Sequence, residues 1–530
     1  MKPVTSLATL ALALTFVPAP AFSQDSAAGE REITTEIIEF PDGLETPRSE
    51  AEEVAVDQTM RILRLDDRPG GLNAVIALAP DITAQVRATQ TLPLGGRTVL
   101  VKDNIETREL PTTAGSLALA GNMTRRDAPM IANLRAAGGV VLGKTNLSEW
   151  ANIRDFNSTS GWSAVGGLTR NPHAIDRNTC GSSSGSGAAV AAGFAWAAIG
   201  TETNGSITCP ASINGVVGFK PTVGLVSRTH VVPISSTQDT AGPMARSVAD
   251  AAMLLGAMAG SDPADPATAD ADRYKRDFTQ GLADASLEGV RIGVMRKQVG
   301  DRADVSAVFD AALADLAAAG AVLVDIDYEP NEEMSRDSFT VLLFELRDEM
   351  GKYLRSIPPV AQGEEATPRS LADLIAFNEA HADTEMRWFG QDIFEMAEGT
   401  TDRPAYEAAR ANAIHLAGER GIDMLLAEND VAFLIAPTRG PAWTTDLVNG
   451  DNYNGSIGFG SPAAIAGYPH LTVPMGAIED LPVGISIIGG KWQDWEVLKA
   501  GAAYERARSA EIPTPDFKRW MPDAGNPSDR

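Results

Sequence analysis

The stretch from Cys180 to Arg228 constrains the fold and chemistry of this chain more than any other part of the sequence. Two corners rich in glycine and serine, residues 181–187 and 201–206, flank a segment of small residues. Glycine lets a turn adopt positive φ, and successive N–H groups in such a turn can bind an anion. A serine beside them combines a nucleophile with donors for a developing oxyanion, as acyl transfer requires. The alanine-rich residues 188–198 between the corners predict a closely packed helix.

Several short motifs, taken in order along the chain, resemble those of a known family. They are Lys102–Asn104, Cys180–Ser186, Gly200–Ser206, Pro210-Ala211 and Gly218–Thr222. In this order they resemble the motifs of the amidase signature family, and the resemblance extends from about residue 72 to about residue 503. It implies an α/β fold whose core is a mixed β-sheet flanked by helices on both faces. It also implies an enzyme that hydrolyses linear amides without a cofactor.

The resemblance also implies a role for each member of a Ser–Ser–Lys triad. Ser206 would be the nucleophile, Lys102 would be the base, and Ser182 would transfer protons between them. In the family, the bridging serine follows a cis peptide bond, which here would join Gly181 to Ser182. Ser183 would either support the triad through a hydrogen bond or only stabilise the turn. The oxyanion would be bound by the backbone N–H groups of Thr203, Asn204, Gly205 and Ser206.

Four residues in these motifs depart from the family's pattern. Cys180, Ser184 and Asn204 each replace a usual glycine, and Glu202 replaces a usual aspartate. The three triad positions are unaffected. The departures fall in the corners whose shape would determine the oxyanion site.

The alternation of side chains along a strand gives Lys102 an unusual position for a lysine. Residues 97–102 are typical of a buried strand, in which Lys102 shares a face with Leu100 while Val99 and Val101 share the other. A base must be neutral, so the pKa of Lys102 would have to lie well below the usual value of about 10.4. Burial can lower a lysine pKa by several units because it disfavours the ammonium form. The alternative is a lysine at a strand end whose amine reaches water.

A second pattern in the first corner supports a competing interpretation. Residues 181–185 match G-x-S-x-G, the nucleophile elbow of α/β-hydrolases, which would make Ser183 the nucleophile. That elbow follows a strand, whereas residues 171–179 are polar and contain a proline. It also needs a histidine, and neither His415 nor His470, the last two in the chain, has a recognisable catalytic context. A serine esterase of this type remains an alternative to the amidase.

The sequence indicates neither a nucleotide site nor a metal site. Residues 138–145 match the phosphate-loop pattern G-x-x-x-x-G-K-T, but the apolar run Val140–Leu142 predicts a strand there, with Lys144 near its end. The chain has no H-E-x-x-H motif, and its five histidines are scattered. We therefore expect that the enzyme needs no metal and no other cofactor.

The beginning of the chain predicts export. Residues 1–23 resemble a secretory signal peptide, with Lys2, a short apolar segment and a small-x-small site before Gln24. That segment is too short to span a bilayer. We therefore expect a periplasmic or secreted enzyme. The remaining expected segments are a loose arm at residues 24–48, one amidase domain at 49–512 with a variable helical region at about 330–430, and a polar tail at 513–530.

The charge of the chain restricts its partners. The formal net charge is −26, and removal of Lys2 with the signal peptide would make it one unit more negative. Such acidity disfavours binding to nucleic acids and to anionic membranes. The expected partner is a small-molecule or peptide amide, and the oligomeric state stays open.

Cys180 and Cys209 are the only cysteines, and each lies within three residues of a serine of the expected triad. An oxidising compartment permits a disulfide. Bridging requires Cα atoms within about 7 Å, and the reach of the chain alone allows a wider separation. We therefore expect two buried free thiols, with a disulfide as the alternative.

The sequence also resembles one group within the family. Around Lys102, over residues 180–228 and at residues 238–243, it is similar to bacterial peptide amidases, which release ammonia from C-terminal carboxamides. The amidotransferases of the transamidosome share the motifs but work in the cytoplasm, which the expected signal peptide disfavours. Activity on small aliphatic or aryl amides is the alternative within the family.

Overall fold

One large mixed β-sheet forms the centre of the protein. The computed structural model describes residues 45, 47–358 and 367–521, in which eleven strands form this sheet and two short strands form a separate pair. These residues belong to one compact unit. The expected signal peptide and nearly all of the expected arm lie outside the described residues.

The strands, in chain order, are β1 Val75–Leu78, β2 Thr98–Lys102, β3 Val140–Thr145, β4 Trp162–Ser163, β5 Gly167–Leu168, β6 Ala197–Glu202, β7 Val217–Lys220, β8 Thr240–Ala245, β9 Arg291–Met295, β10 Val322–Ile326, β11 Phe433–Pro437, β12 His470–Ile478 and β13 Leu481–Ile488.

The α-helices are α1 Glu50–Leu65, α2 Ile82–Thr89, α3 Pro129–Ala136, α4 Ser184–Ala191, α5 Thr208–Ile213, α6 Val248–Met258, α7 Ala271–Tyr274, α8 Ala303–Ala318, α9 Glu332–Ser356, α10 Leu371–Ala380, α11 Ala382–Glu385, α12 Asp392–Gly399, α13 Arg403–Ala417, α14 Met424–Glu428, α15 Gly460–Ala466 and α16 Asp494–Ala507.

The order of strands across the sheet is β1-β3-β2-β6-β8-β7-β12-β13-β11-β9-β10. Strands β3, β2 and β6 run parallel, as do β11, β9 and β10, whereas the strands between these two groups pair antiparallel. The predicted mixed α/β fold is therefore confirmed. The expected strand at Val140–Leu142 is confirmed as part of β3, which also contains Lys144.

Strand β2 shows how the sheet separates two hydrophobic cores. Val99 and Val101 belong to a core with residues of α3, α6, α8 and α16, whereas Leu100 belongs to a core with residues of α4. All five residues of β2 are buried. Lys102 follows Leu100 by two positions, so it points to the same side of the sheet as α4.

The expected helix at residues 188–198 is wrong in its bounds. Helix α4 begins earlier and ends at Ala191, Gly193 turns the chain with a φ of +72°, and β6 begins at Ala197. Ala197 and Ala198 contribute to different cores, as neighbouring residues of a strand do. Pairing with both β2 and β8 outweighs the helix propensity of alanine.

The later part of the chain contains a series of helices. The helical region expected at about 330–430 contains α9 to α14. Beyond α16, residues 513–521 have neither helix nor strand. They lie along the loop at residues 172–176, which exchanges backbone hydrogen bonds with Phe517 and Lys518.

Candidate active site

The residues of the expected triad come from two parallel strands and the loops beside them. Lys102 ends β2, and Ser206 lies four residues beyond the end of β6, its parallel neighbour. Ser182 precedes α4, which packs against both strands. Parallel strands place their carboxyl ends at one edge of a sheet, where sites of α/β proteins commonly form.

Lys102 is fully buried and contacts two side chains. Its Nζ donates to Ser182 Oγ at 2.7 Å and to Thr201 Oγ1 at 2.8 Å. Burial lowers the pKa of Lys102 to about 7, although the charges of Asp239 and Glu202 oppose this shift. A substantial fraction of the lysine is therefore neutral near pH 7, the state in which it can accept a proton.

The two serines of the expected triad differ in exposure. Ser182 is fully buried after a cis peptide bond with Gly181, whereas Ser206 is partly exposed and lines a groove. The backbone N–H of Ser183 donates to the carbonyl oxygen of Ser206 at 3.1 Å and so joins the two loops. Within the described residues, Ser206 Oγ has no hydrogen bond to Ser182 Oγ. The structure thus joins Lys102 to Ser182 directly, and joins Ser206 to that loop through the backbone.

The turn at residues 203–206 has the features of an anion site. None of its four backbone N–H groups donates to an acceptor in the part of the chain that the structure describes. Gly205 adopts a φ of +85°, which favours glycine. Thr203 fixes the start of the turn, because its hydroxyl donates to Asp239 at 2.6 Å and its carbonyl oxygen accepts from Gln238 at 3.2 Å.

Glu202, which replaces the family's usual aspartate, supports the other end of this turn. Its Oε2 accepts from the backbone N–H groups of Ile207 at 2.8 Å and Thr208 at 3.0 Å. The carboxylate therefore holds the first residues of α5 directly behind Ser206. The longer side chain is compatible with an ordered turn.

Thr201 is a functional candidate that the sequence analysis missed. Its Oγ1 accepts from both Lys102 Nζ and Asn104 Nδ2, the latter at 2.9 Å. Its backbone carbonyl accepts from Ser183 Oγ at 3.1 Å. Thr201 thus connects the lysine motif with both serine-rich motifs. Its position within the motif Gly200–Ser206 was the one feature of the sequence that could have indicated this role.

The structure lacks the features of the alternative nucleophile elbow. Ser183 is fully buried, and its Oγ also accepts from the backbone N–H of Thr201 at 3.2 Å, so both of its contacts stabilise the turn. No strand precedes it between residues 171 and 182. Neither late histidine lies beside Ser183: His470 forms a hydrogen bond with Ser486, and His415 lies at the surface beside Glu419.

Ser206 and its turn open into a groove of about 570 Å³. One part of its lining is apolar and includes Phe156, Ile234 and Leu342. Phe156 is 61% exposed, so a large apolar surface is available to a bound molecule. Another part carries charged and aromatic side chains from the segment after β11. The groove therefore offers both apolar and charged side chains to an acyl group held at Ser206.

Cys180 and Cys209 form a disulfide, and the expectation of two free thiols was wrong. The bond joins the loop of Ser182 to α5, which follows Ser206. The hydrogen bond between Ser183 and Ser206 already holds these two loops together, and the Cα atoms of the cysteines are 6.0 Å apart. This distance is within the limit of about 7 Å for a disulfide, which the sequence separation alone could not establish.

Removal of this disulfide is expected to destabilise the protein. The bond closes a loop with a sequence separation of 29, which corresponds to about 3–4 kcal/mol of unfolding free energy. The Cys180→Ser/Cys209→Ser variant should therefore melt at a lower temperature than the wild type. Thermal unfolding with and without a reductant would measure this, and the double variant should not respond to the reductant. Two titratable thiols in the denatured, unreduced wild type would contradict the bond.

The sequence led us to expect neither a metal site nor a nucleotide site. Within the described residues, no group of three or more His, Cys, Asp or Glu side chains could hold a metal ion. Lys144, in the rejected phosphate-loop pattern, is buried and pairs with Asp103 at 3.0 Å. No described helix is long and apolar enough to cross a membrane. The absence of a metal requirement stays a prediction.

The sheet, the buried lysine and the glycine–serine turns are the features that the resemblance to the amidase signature family implies. The family model described as Amidase matches residues 72–498, most of the chain. The chain therefore belongs to the amidase signature family, and it is an amidohydrolase.

Three similar proteins illustrate how widely this family occurs. The crystal structure of native peptide amidase from Stenotrophomonas maltophilia is 45% identical, with a TM-score of 0.82, over 88% of this chain and 95% of that one. The crystal structure of an amidase family protein from Bacillus anthracis is 33% identical, with a TM-score of 0.78, over 88% and 89%. A probable amidase of Arabidopsis thaliana is 37% identical over 82% of this chain and 83% of its own length. The predicted similarity to peptide amidases is confirmed.

Proposed function

We propose that this protein is an exported amidase that releases ammonia from peptides ending in a carboxamide, through an acyl-enzyme on Ser206. The observation that carries the proposal is the fully buried hydrogen bond of 2.7 Å between Lys102 Nζ and Ser182 Oγ, beside the turn of Ser206. The similarity to peptide amidase supports this choice of substrate.

The first half of the reaction forms the acyl-enzyme. Neutral Lys102 accepts the Ser182 hydroxyl proton, while Ser182 takes the proton of Ser206, whose oxygen attacks the amide carbon. The carbonyl oxygen becomes an oxyanion that the unpaired N–H groups at residues 203–206 stabilise. The C–N bond then breaks as the proton on Lys102 returns through Ser182 to the nitrogen, and ammonia leaves.

The second half regenerates the enzyme. Water attacks the ester of Ser206, and its proton passes to Lys102 through Ser182. Collapse of the second tetrahedral intermediate breaks the bond to Ser206 Oγ, which recovers a proton by the same path. Of the three proposed triad residues, the partly exposed Ser206 alone bonds covalently to the substrate, and the buried Lys102 and Ser182 transfer protons.

Export is part of the proposal because two features support it. Residues 1–23 have the pattern of a signal peptide. The disulfide between Cys180 and Cys209 is of a kind that persists in oxidising compartments. Cell fractionation, with N-terminal sequencing of the mature protein, would test both the destination and the cleavage near Ser23.

Peptides that end in a carboxamide are expected to be better substrates than small amides or internal peptide bonds. The apolar and charged side chains of the groove can contact a peptide, whereas a small amide is too short to reach most of them. A panel of peptide amides, aliphatic amides and aryl amides, with ammonia and internal fragments quantified separately, would test this. A higher kcat/KM for small amides would instead support the alternative within the family, and comparable internal cleavage would contradict the proposal.

A further inference from the structure

We infer that Arg439 is a specificity-determining residue that binds a carboxylate on the acyl part of the substrate. This inference rests on the proposed function and adds a substrate class to it: carboxamides of peptides with an acidic side chain near the amide.

Arg439 lies at the edge of the site because β11 ends two residues before it. The intervening Thr438 is buried and anchored: its backbone N–H donates to the carbonyl oxygen of Gly484 at 2.7 Å. A Cβ atom at Gly205 would lie 4.0 Å from Arg439 Nη2. The guanidinium is therefore close to the turn that would hold the scissile carbonyl. The anchored Thr438 restrains the backbone of Arg439.

The aromatic ring of Tyr453 orients the Arg439 side chain. The guanidinium carbon lies 4.8 Å from the centre of this ring, within the range of a cation–π contact. Tyr453 in turn contacts Trp443, with ring centres 5.3 Å apart. Such a contact restricts the orientation of the guanidinium but leaves its N–H donors available.

Arg439 differs from the acidic residues of the groove in its unused hydrogen-bonding capacity. Across the described residues, it has neither an ion pair nor a hydrogen bond, whereas both carboxylates that line the groove, Asp155 and Asp451, accept hydrogen bonds. The donors to Asp155 are the backbone N–H groups of Asn157 and Asp392, and those to Asp451 are the N–H of Ser160, Asn178 Nδ2 and Trp443 Nε1.

Arg439 also lines a neighbouring cavity of about 510 Å³, which it shares with two other arginines. Arg177 donates to Thr444 at 2.7 Å, and Arg302 is paired with Asp304. Each of these two guanidinium groups thus has a polar partner within the protein. Arg439, at the junction of the two cavities, has its donors available to a ligand that extends from Ser206.

A planar guanidinium with free donors matches a carboxylate, which it can bind through two parallel charge-assisted hydrogen bonds. The protein as a whole is strongly acidic, so its general field would repel an anionic peptide. A local unpaired cation beside the reacting group therefore discriminates in favour of substrates whose carboxylate reaches it, and not of anions in general.

The test compares acetylated peptide amides that carry glutamate or methionine at the last or the penultimate position. Methionine has a similar length, no charge and no side-chain amide. The ratio of kcat/KM for the glutamate and methionine peptides should fall by about 10- to 100-fold in Arg439→Gln, mainly through KM. Arg439→Lys should retain part of the ratio because it retains the charge. Arg64→Gln is the matched control, since Arg64 is an exposed arginine of α1 that lines neither cavity.

The affinities of the same peptides for the Ser206→Ala variant, with and without Arg439→Gln, provide a readout that does not require turnover. An unchanged ratio of affinities would overturn the role of Arg439. An equal loss for both peptides would also overturn it, because the guanidinium would then bind a group common to both. If the wild type hydrolyses none of these peptides while the affinity ratio still falls, only the proposed function fails.

Discussion

Replacing Ser206 with alanine is expected to abolish hydrolysis of both amides and activated esters. Without the hydroxyl no covalent intermediate can form, and loss of a catalytic serine costs on the order of 10⁶-fold in kcat. The measurement is kcat/KM for a matched amide and p-nitrophenyl ester. Because Ser206 is partly exposed and its hydroxyl is not part of the buried network, the variant should keep the wild-type melting temperature.

Ser183→Ala is the matched control for this experiment. Among the described residues, the hydroxyl of the fully buried Ser183 hydrogen-bonds only to the backbone of Thr201, so its removal should reduce activity by much less than removal of the Ser206 hydroxyl. Substantial turnover by Ser206→Ala would refute the assignment of the nucleophile. Total loss in Ser183→Ala, together with an active Ser206→Ala, would transfer that role to the elbow serine.

Substitution of Lys102 should impair amide hydrolysis more than ester hydrolysis. An amine needs a proton to leave, whereas a p-nitrophenoxide does not, and the oxyanion turn serves both substrates. Proton transfer by a positioned group contributes roughly 10²–10⁴-fold, so Lys102→Ala should show a differential loss of about that size. Ser182→Ala should show the same pattern, because Ser182 lies on the proton path. Equal losses on the two substrates would contradict a relay.

The pH dependence of the amidase rate also tests the role of Lys102. Burial lowers the pKa of Lys102 to about 7, and the neutral form above that pH is the one that accepts a proton. The amidase rate of the wild type should therefore rise with pH through about 7 and then level off. Lys102→Arg keeps its charge throughout this range and should be inactive. If that variant retained near wild-type rates with an unchanged pH profile, Lys102 would not be the base.

Local patterns predicted the elements that position the site. The alternation of Leu100 and Lys102 placed the lysine on one face of a strand, and the apolar run at Val140–Leu142 indicated a strand instead of a phosphate loop. These predictions succeeded because side-chain direction and strand propensity depend on neighbouring residues. The helix expected at residues 188–198 failed where pairing across the sheet decided the structure.

The remaining features depend on contacts between distant parts of the chain. The charges of Asp239 and Glu202 moderate the pKa of Lys102, and no local pattern indicates that they lie nearby. The separation of Cys180 and Cys209 follows from how two loops pack, which chain reach does not determine. Likewise, Arg439 lies close to the turn of Gly205 although four strands separate β6 from β11 in the sheet, and no local pattern indicates this proximity.

The sheet order has a consequence for how such an enzyme can diversify. The three residues of the proposed triad lie between positions 102 and 206, on β2, β6 and their loops, whereas Leu342, Arg439 and Tyr453 of the groove come from later segments. Substitutions and insertions in those later segments can therefore change which acyl groups are accepted while the bond-breaking machinery stays intact. Exchange of residues 330–460 between homologues should accordingly alter selectivity, while the earlier groove residues Phe156 and Ile234 stay in place.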